Sequence, residues 1–194
     1  YALLEVLVEF AQFALAAPGS LTALLVGLKL GAFGLIRFAI PLAPDAALEL
    51  HWLLAGLGTV AILYGAVGML AQSNLRVGLA YASICHVGLA VLGLASYTAQ
   101  AAQGAVSLLL SFSLATGGAF VWLEFLRQRT GSTDVNALGG AAKTMPLLAT
   151  GFMVCGLAGA VMPGTSSFPG EFMLIIPAVQ THTGASMAAW FGLS

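Results

Sequence analysis

Leu21-Thr-Ala-Leu-Leu-Val-Gly-Leu-Lys-Leu-Gly-Ala-Phe-Gly-Leu-Ile36 is an apolar run carrying a single charge, Lys29, near its centre. Its length and hydropathy read as a helix that crosses a bilayer, where an unpaired ammonium costs several kcal/mol. A charge that expensive is a functional candidate. A buried ammonium can release its proton and a buried guanidinium cannot, so Lys29 can serve as a proton carrier as well as a fixed charge. Glycines at 27, 31 and 34 flank it, the pattern of a helix that is locally weakened or closely packed.

The rest of the chain has the same character. Of its 194 residues 60% are hydrophobic and 7% charged, and the mean hydropathy is +1.01. A soluble domain of this size has no use for that much apolar surface. At about 20 residues per crossing, apolar stretches at roughly 20–40, 52–72, 79–97, 104–124 and 145–162, with a shorter one near 168–180, predict about five or six spans. Residues 1–17 are also apolar but carry Glu5, Glu9 and Gln12, which fits a protein-packed or interfacial helix. The fold class is therefore all-α: one polytopic transmembrane bundle over 1–194, without a cleavable signal peptide. Both ends fall inside apolar sequence, the pattern of a piece of a longer membrane protein.

Charges at the predicted helix ends sort by side. Arg76, Arg127, Arg129 and Lys143 collect on one face and Arg37, Asp45 and Glu49 on the other, which by the positive-inside tendency turns the first group to the cytoplasm. The polar stretch 127–144 is a solvated connection, with turn chemistry at Thr130-Gly-Ser-Thr-Asp134 and a break at Gly139-Gly140.

Few polar residues lie within the spans. Glu171 follows Met162-Pro-Gly-Thr-Ser-Ser-Phe-Pro-Gly170, where two prolines and two glycines interrupt a helical pattern. Non-helical backbone at membrane depth survives only where protein or water satisfies it. The acid beside this break is either part of an ion path or a solvated carboxylate at a helix end. His86, in Tyr81-Ala-Ser-Ile-Cys-His-Val-Gly88, shares a helical face with Ser83 and is either a neutral buried imidazole or a proton relay. His51 and His182 lie at predicted helix ends, and Glu124 and Arg127, three apart, read as a surface pair. Cys85 and Cys155 read as small packing residues rather than a disulfide.

Catalytic and metal motifs are absent: there is no CxxC, HExxH, GxSxG or phosphate-cradling loop. No cofactor, metal or nucleic acid is expected on this chain. If the parent assembly does redox chemistry, other subunits carry it out.

Three stretches together resemble a known family. Pro18-Gly-Ser20 leading into Leu28-Lys-Leu-Gly-Ala-Phe-Gly-Leu-Ile-Arg-Phe38, then Gln72-Ser-Asn-Leu-Arg-Val-Gly-Leu-Ala-Tyr-Ala-Ser-Ile-Cys-His-Val-Gly88, then Met162-Pro-Gly-Thr-Ser-Ser-Phe-Pro-Gly-Glu-Phe172 resemble, in order, the antiporter-like membrane subunits of respiratory complex I, of the chain M or subunit 4 type. The resemblance implies two inverted five-helix repeats, each centred on a broken helix. It implies that Lys29 matches the central lysine of a proton relay, for which Arg76, His86 and Glu171 are the other candidate residues of this chain. It further implies membrane-subunit partners, protons or sodium as the transported ion, and a multi-pass location, most simply the bacterial inner membrane. The chain also departs from the family pattern. Asn74-Leu-Arg76-Val-Gly78 stands where relatives commonly have Asp-x-Lys-Arg-Leu, so Arg76 replaces a second relay lysine. Ser111-Phe112-Ser113-Leu114 stands where relatives often carry His-Gly.

Two functional readings follow. One is a proton-translocating subunit of a complex I-like NADH:quinone oxidoreductase. The other is a divergent relative in a cation/proton antiporter, a membrane-bound hydrogenase or an inorganic-carbon uptake complex. A bundle in which Lys29 merely pairs with a carboxylate is the structural alternative.

Overall fold

The structure, a computed structural model, describes residues 28–181. Glu5, Glu9, Gln12, Gly27 and His182 lie outside the described residues. In chain order the elements are α1 (Leu28–Gly34), a π-helical stretch Leu35–Ala39, α2 (Ile40–Leu42), α3 (Pro44–Glu49), α4 (His51–Leu70), α5 (Leu75–Leu94), α6 (Ala99–Thr130), α7 (Ala141–Thr144), α8 (Pro146–Gly159) and α9 (Phe168–Thr181). The described residues contain no strand, and their one β-bridge joins Asn74 to Asp134.

Local chemistry sets the boundaries. Asn74 caps α5 by accepting from the Arg76 backbone N–H at 3.0 Å, and Thr98 caps α6 by accepting from Ala101 N–H at 3.1 Å. Pro146 opens α8 at a position where no amide donor is needed. Gly131, at φ 78°, ends α6 with a bond from its N–H to Arg127 O at 2.7 Å.

Among the described residues three helices, α4, α5 and α6, are long and apolar enough to cross a membrane. The expected span at 145–162 is the 14-residue α8, and the shorter run near 168–180 is α9, also of 14 residues. At 1.5 Å per residue α8 is about 21 Å long, short of a hydrocarbon core about 30 Å thick. Residues 160–167 separate α8 from α9. Val161 takes φ +53° and Gly164 φ +99°, with Pro163 between them. The irregular backbone is satisfied from within: Met162 N–H donates to Leu157 O at 3.2 Å, and Thr165 N–H donates to Met162 O at 3.0 Å.

Glycines bring the helices into backbone contact. A Cβ on Gly58 of α4 would sit 2.8 Å from Gly88 O and from Leu92 N on α5, and a Cβ on Gly88 would sit 2.9 Å from Gly58 O. Likewise a Cβ on Gly170 of α9 would lie 2.6 Å from Leu108 N on α6. Such close approach is how helices associate in lipid, where apolar side chains gain nothing by leaving the tails. The interior is then built on α5 and α6, whose Leu89, Leu92, Leu108, Phe112 and Leu123 are fully buried. The outer face of α4 presents Trp52, Val60 and Val67, a surface suited to lipid or to neighbouring membrane helices.

Candidate functional site

α1 packs on α5, and α5 and α6 meet α8 and α9 around a cavity of about 630 Å³. Its wall is largely apolar, with Cys85 and His86 from α5, Phe112 and Thr116 from α6, Cys155 from α8 and Glu171 from α9. Lys29 stands outside that lining, and its ammonium lies 6.0 Å from the centre of the Phe112 ring.

His86 and Lys29 meet at that ring. The imidazole stacks on Phe112 with centroids 3.8 Å apart and planes 16° from parallel. Nδ1 of His86 lies 2.8 Å from Ala82 O, and because a carbonyl only accepts, Nδ1 carries the hydrogen. A neutral ring then has its lone pair on Nε2, which is buried with no hydrogen-bond partner among the described residues. Lys29 Nζ is buried in the same condition. A donor and an acceptor without partners among the described residues thus stand beside one aromatic ring. A cation over a ring face at this range is weakly attracted to it, which partly offsets the missing hydrogen bonds.

Glu171 sits in the first turn of α9, where the helix dipole favours a carboxylate. Its backbone N–H donates to Ser167 O at 3.2 Å, and its side chain is half-buried on the cavity wall. The break that the sequence placed before Glu171 therefore delivers the acid to the same chamber as His86.

Arg76 lies elsewhere. Ten residues before His86 on α5, it is about 15 Å away along the axis. Its Nη2 donates to Glu124 Oε2 at 2.6 Å, and its guanidinium stands 5.3 Å from the Phe120 ring centre. The pair read from sequence, Glu124 and Arg127, is present with Nη2 to Oε1 at 2.6 Å, so one carboxylate serves two guanidiniums. The long-range partner Arg76 was not legible, because 48 residues separate it from Glu124. This contact sets the start of α5 beside the end of α6, with Arg76 and Arg127 on one side of the bundle as the charge sorting expected.

Other polar groups are occupied locally. Ser111 Oγ donates to Ser107 O at 2.8 Å, Thr116 Oγ1 donates to Phe112 O at 2.7 Å, and Ser113 bonds Leu109 O. His51 Nδ1 lies 2.7 Å from Leu48 O at the exposed start of α4. Cys85 and Cys155 are free thiols. Among the described residues no three His, Cys, Asp or Glu side chains converge as a metal-binding group. The residue that sequence reasoning passed over is Phe112, noted there only for the titratable group it lacks. Nothing in local spacing marks it, since its two contacts come from α1 and α5.

Comparison with known proteins follows the same lines. Residues 10–194 match the family described as NADH:quinone oxidoreductase/Mrp antiporter, TM. The NADH-quinone oxidoreductase subunit M of Rickettsia bellii is 34% identical over 179 residues, covering 91% of this chain and 36% of the relative. The NAD(P)H-quinone oxidoreductase chain 4 3 of Trichormus variabilis is 40% identical over 160 residues, covering 82% of this chain and 30% of the relative. Among solved structures, a chain of respiratory complex I from Thermus thermophilus with bound NADH is similar, with a TM-score of 0.84 and 35% identity over 90% of this chain and 38% of that one. The chain spans about a third of the length of these relatives. It is an integral membrane protein segment, and it belongs to the NADH:quinone oxidoreductase/Mrp antiporter transmembrane family.

Proposed function

We propose that this chain is part of a proton-translocating membrane subunit of a complex I-like NADH:quinone oxidoreductase, seated among other membrane subunits in a bacterial inner membrane. Lys29 holds and releases the translocated proton, His86 receives it, and Glu171 passes it on through the cavity. The observation that carries this reading is the placement of Lys29 Nζ and His86 Nε2, both buried and without a hydrogen-bond partner among the described residues, beside the same Phe112 ring. The reading is supported by a family whose relatives carry quinone-oxidoreductase names over most of this chain.

Proton movement here uses acid–base groups and water, so redox cofactors belong to other subunits. A buried lysine suits the task because its two protonation states differ by a full charge in a medium that resists charge. Coupling of a few pKa units suffices to load or unload it, at about 1.4 kcal/mol per unit. Arg76 serves this account as an anchor between α5 and α6, because a guanidinium keeps its proton and because its partner is Glu124.

The test is made on the purified parent complex in sealed vesicles. NADH-driven lumen acidification is expected to fall to background in Lys29→Ala while NADH oxidation continues at a reduced rate. Unchanged acidification in that variant would remove Lys29 from the path.

A further inference from the structure

Phe112 is in the cavity wall and is also the ring beside Lys29. Phe112 is 1% exposed. It forms part of the cavity wall, it stacks on His86, and it is the aromatic ring nearest the Lys29 ammonium among the described contacts, whereas Lys29 itself does not reach the cavity. His86, Glu171 and Phe112 thus share the chamber wall, and Lys29 borders it only through Phe112.

We propose that Phe112 is a gate: its ring keeps cavity water from bridging Lys29 Nζ to His86 Nε2, and displacement of the ring admits the proton transfer. The proposal rests on the proton-carrier reading of Lys29. With the ring in place, the ammonium faces a π surface that accepts no proton and the imidazole lone pair faces no donor. With the ring displaced, one cavity water spans the gap. An N–H bond of the Lys29 ammonium breaks and its proton goes to the water, while a proton of that water goes to the Nε2 lone pair. The products are a neutral Lys29 amine and a His86 imidazolium, so total charge is unchanged. The imidazolium then loses the same Nε2 proton to cavity water or to the Glu171 carboxylate, because its Nδ1–H stays bonded to Ala82 O.

The surroundings leave the ring somewhere to go. Its Cε2 atom lies 3.9 Å from the place a Cβ would occupy on Gly159, so the last residue of α8 offers no side chain against it. The backbone behind the ring is held, since Thr116 Oγ1 donates to Phe112 O at 2.7 Å. Motion is thereby confined to the side chain.

The experiment measures passive proton leak, with no NADH present, in vesicles containing the full-length parent complex. Phe112→Ala is expected to raise the leak about tenfold, the gain from a barrier lowered by about 1.4 kcal/mol. Phe112→Leu, which keeps an apolar plug, is expected to leak at the parent level. Combining Phe112→Ala with Lys29→Met is expected to return the leak to the parent level, a dependence that a merely loosened bundle would not give. A parent-level leak in Phe112→Ala, a raised leak in Phe112→Leu, or a leak that survives in the double variant overturns the gate. NADH-driven acidification in Lys29→Met alone separates the two failures: if it is lost while Phe112→Ala does not leak, the gate is wrong and the carrier stands; if it persists, the carrier itself is wrong.

Discussion

Arg76 on the first turn of α5 and Glu124 near the end of α6 hold each other at 2.6 Å, 48 residues apart in sequence. The arginine stands where the family pattern commonly puts a lysine, and the structure uses it to tie two antiparallel helices together. Arg76→Lys is expected to leave NADH-driven proton flux within about twofold of the parent and to lower thermal stability slightly, since a partly exposed pair is worth about 1 kcal/mol or less. Glu124→Gln, which leaves the buried edge of Arg76 without its counter-charge, is expected to destabilise more than Arg76→Lys does. A large flux change in Arg76→Lys would return this residue to the proton path.

Two glycines on α4 differ in what surrounds them. A Cβ on Gly58 would press on the backbone of Gly88 and Leu92 at 2.8 Å, whereas one on Gly56 meets nothing within 4 Å. Gly58→Ala is therefore expected to destabilise the bundle by about 1–3 kcal/mol, the usual range for overpacking. Gly56→Ala should be neutral or gain up to about 1 kcal/mol from helix propensity. Denaturation in detergent with the two variants side by side checks the contrast.

The cavity has two thiols in its wall, Cys155 half-buried and Cys85 only 5% exposed. A small uncharged maleimide is expected to modify Cys155 first and, by filling part of the 630 Å³ chamber, to slow proton flux. Mass spectrometry locates the adduct, and Cys155→Ser should protect flux from the reagent. Full modification of Cys155 without loss of flux would place the path outside the cavity.

Glu171 supplies the chamber's carboxylate. Glu171→Gln preserves shape and removes the titratable group, so flux should fall at least about tenfold with little change in stability. Glu171→Asp, a shorter acid in the same first helical turn, is expected to retain part of the flux. Equal loss in Gln and Asp would mean that side-chain position, and not proton exchange, explains the defect.

The sequence revealed most of the architecture because membrane helices announce themselves by composition. The runs at 52–72, 79–97 and 104–124 appear as α4, α5 and α6 with ends shifted by a few residues, where Asn74, Thr98 and Gly131 act as caps. α6 continues six residues past the expected end at 124, because Glu124, Arg127 and Arg129 lower hydropathy without breaking helical hydrogen bonds. The run at 145–162 came out shorter, as α8, ending before the left-handed Val161 and Pro163, while the short run near 168–180 appears as α9. Lys29, His86 and Glu171 were singled out by their chemistry alone. Their relation to one another was not, because it depends on how α1, α5, α6 and α9 pack, and Phe112, which stacks on His86 and stands beside Lys29, is an apolar residue among apolar residues.

The most direct test compares two substitutions at Lys29 in the parent complex, with NADH-driven acidification of sealed vesicles as the readout. Lys29→Met removes the charge and Lys29→Arg keeps it without a releasable proton. The account predicts that both abolish acidification, because a held charge cannot replace an exchanging one. Acidification at the parent rate in Lys29→Arg would contradict it, and would make Lys29 a fixed charge that no proton passes through.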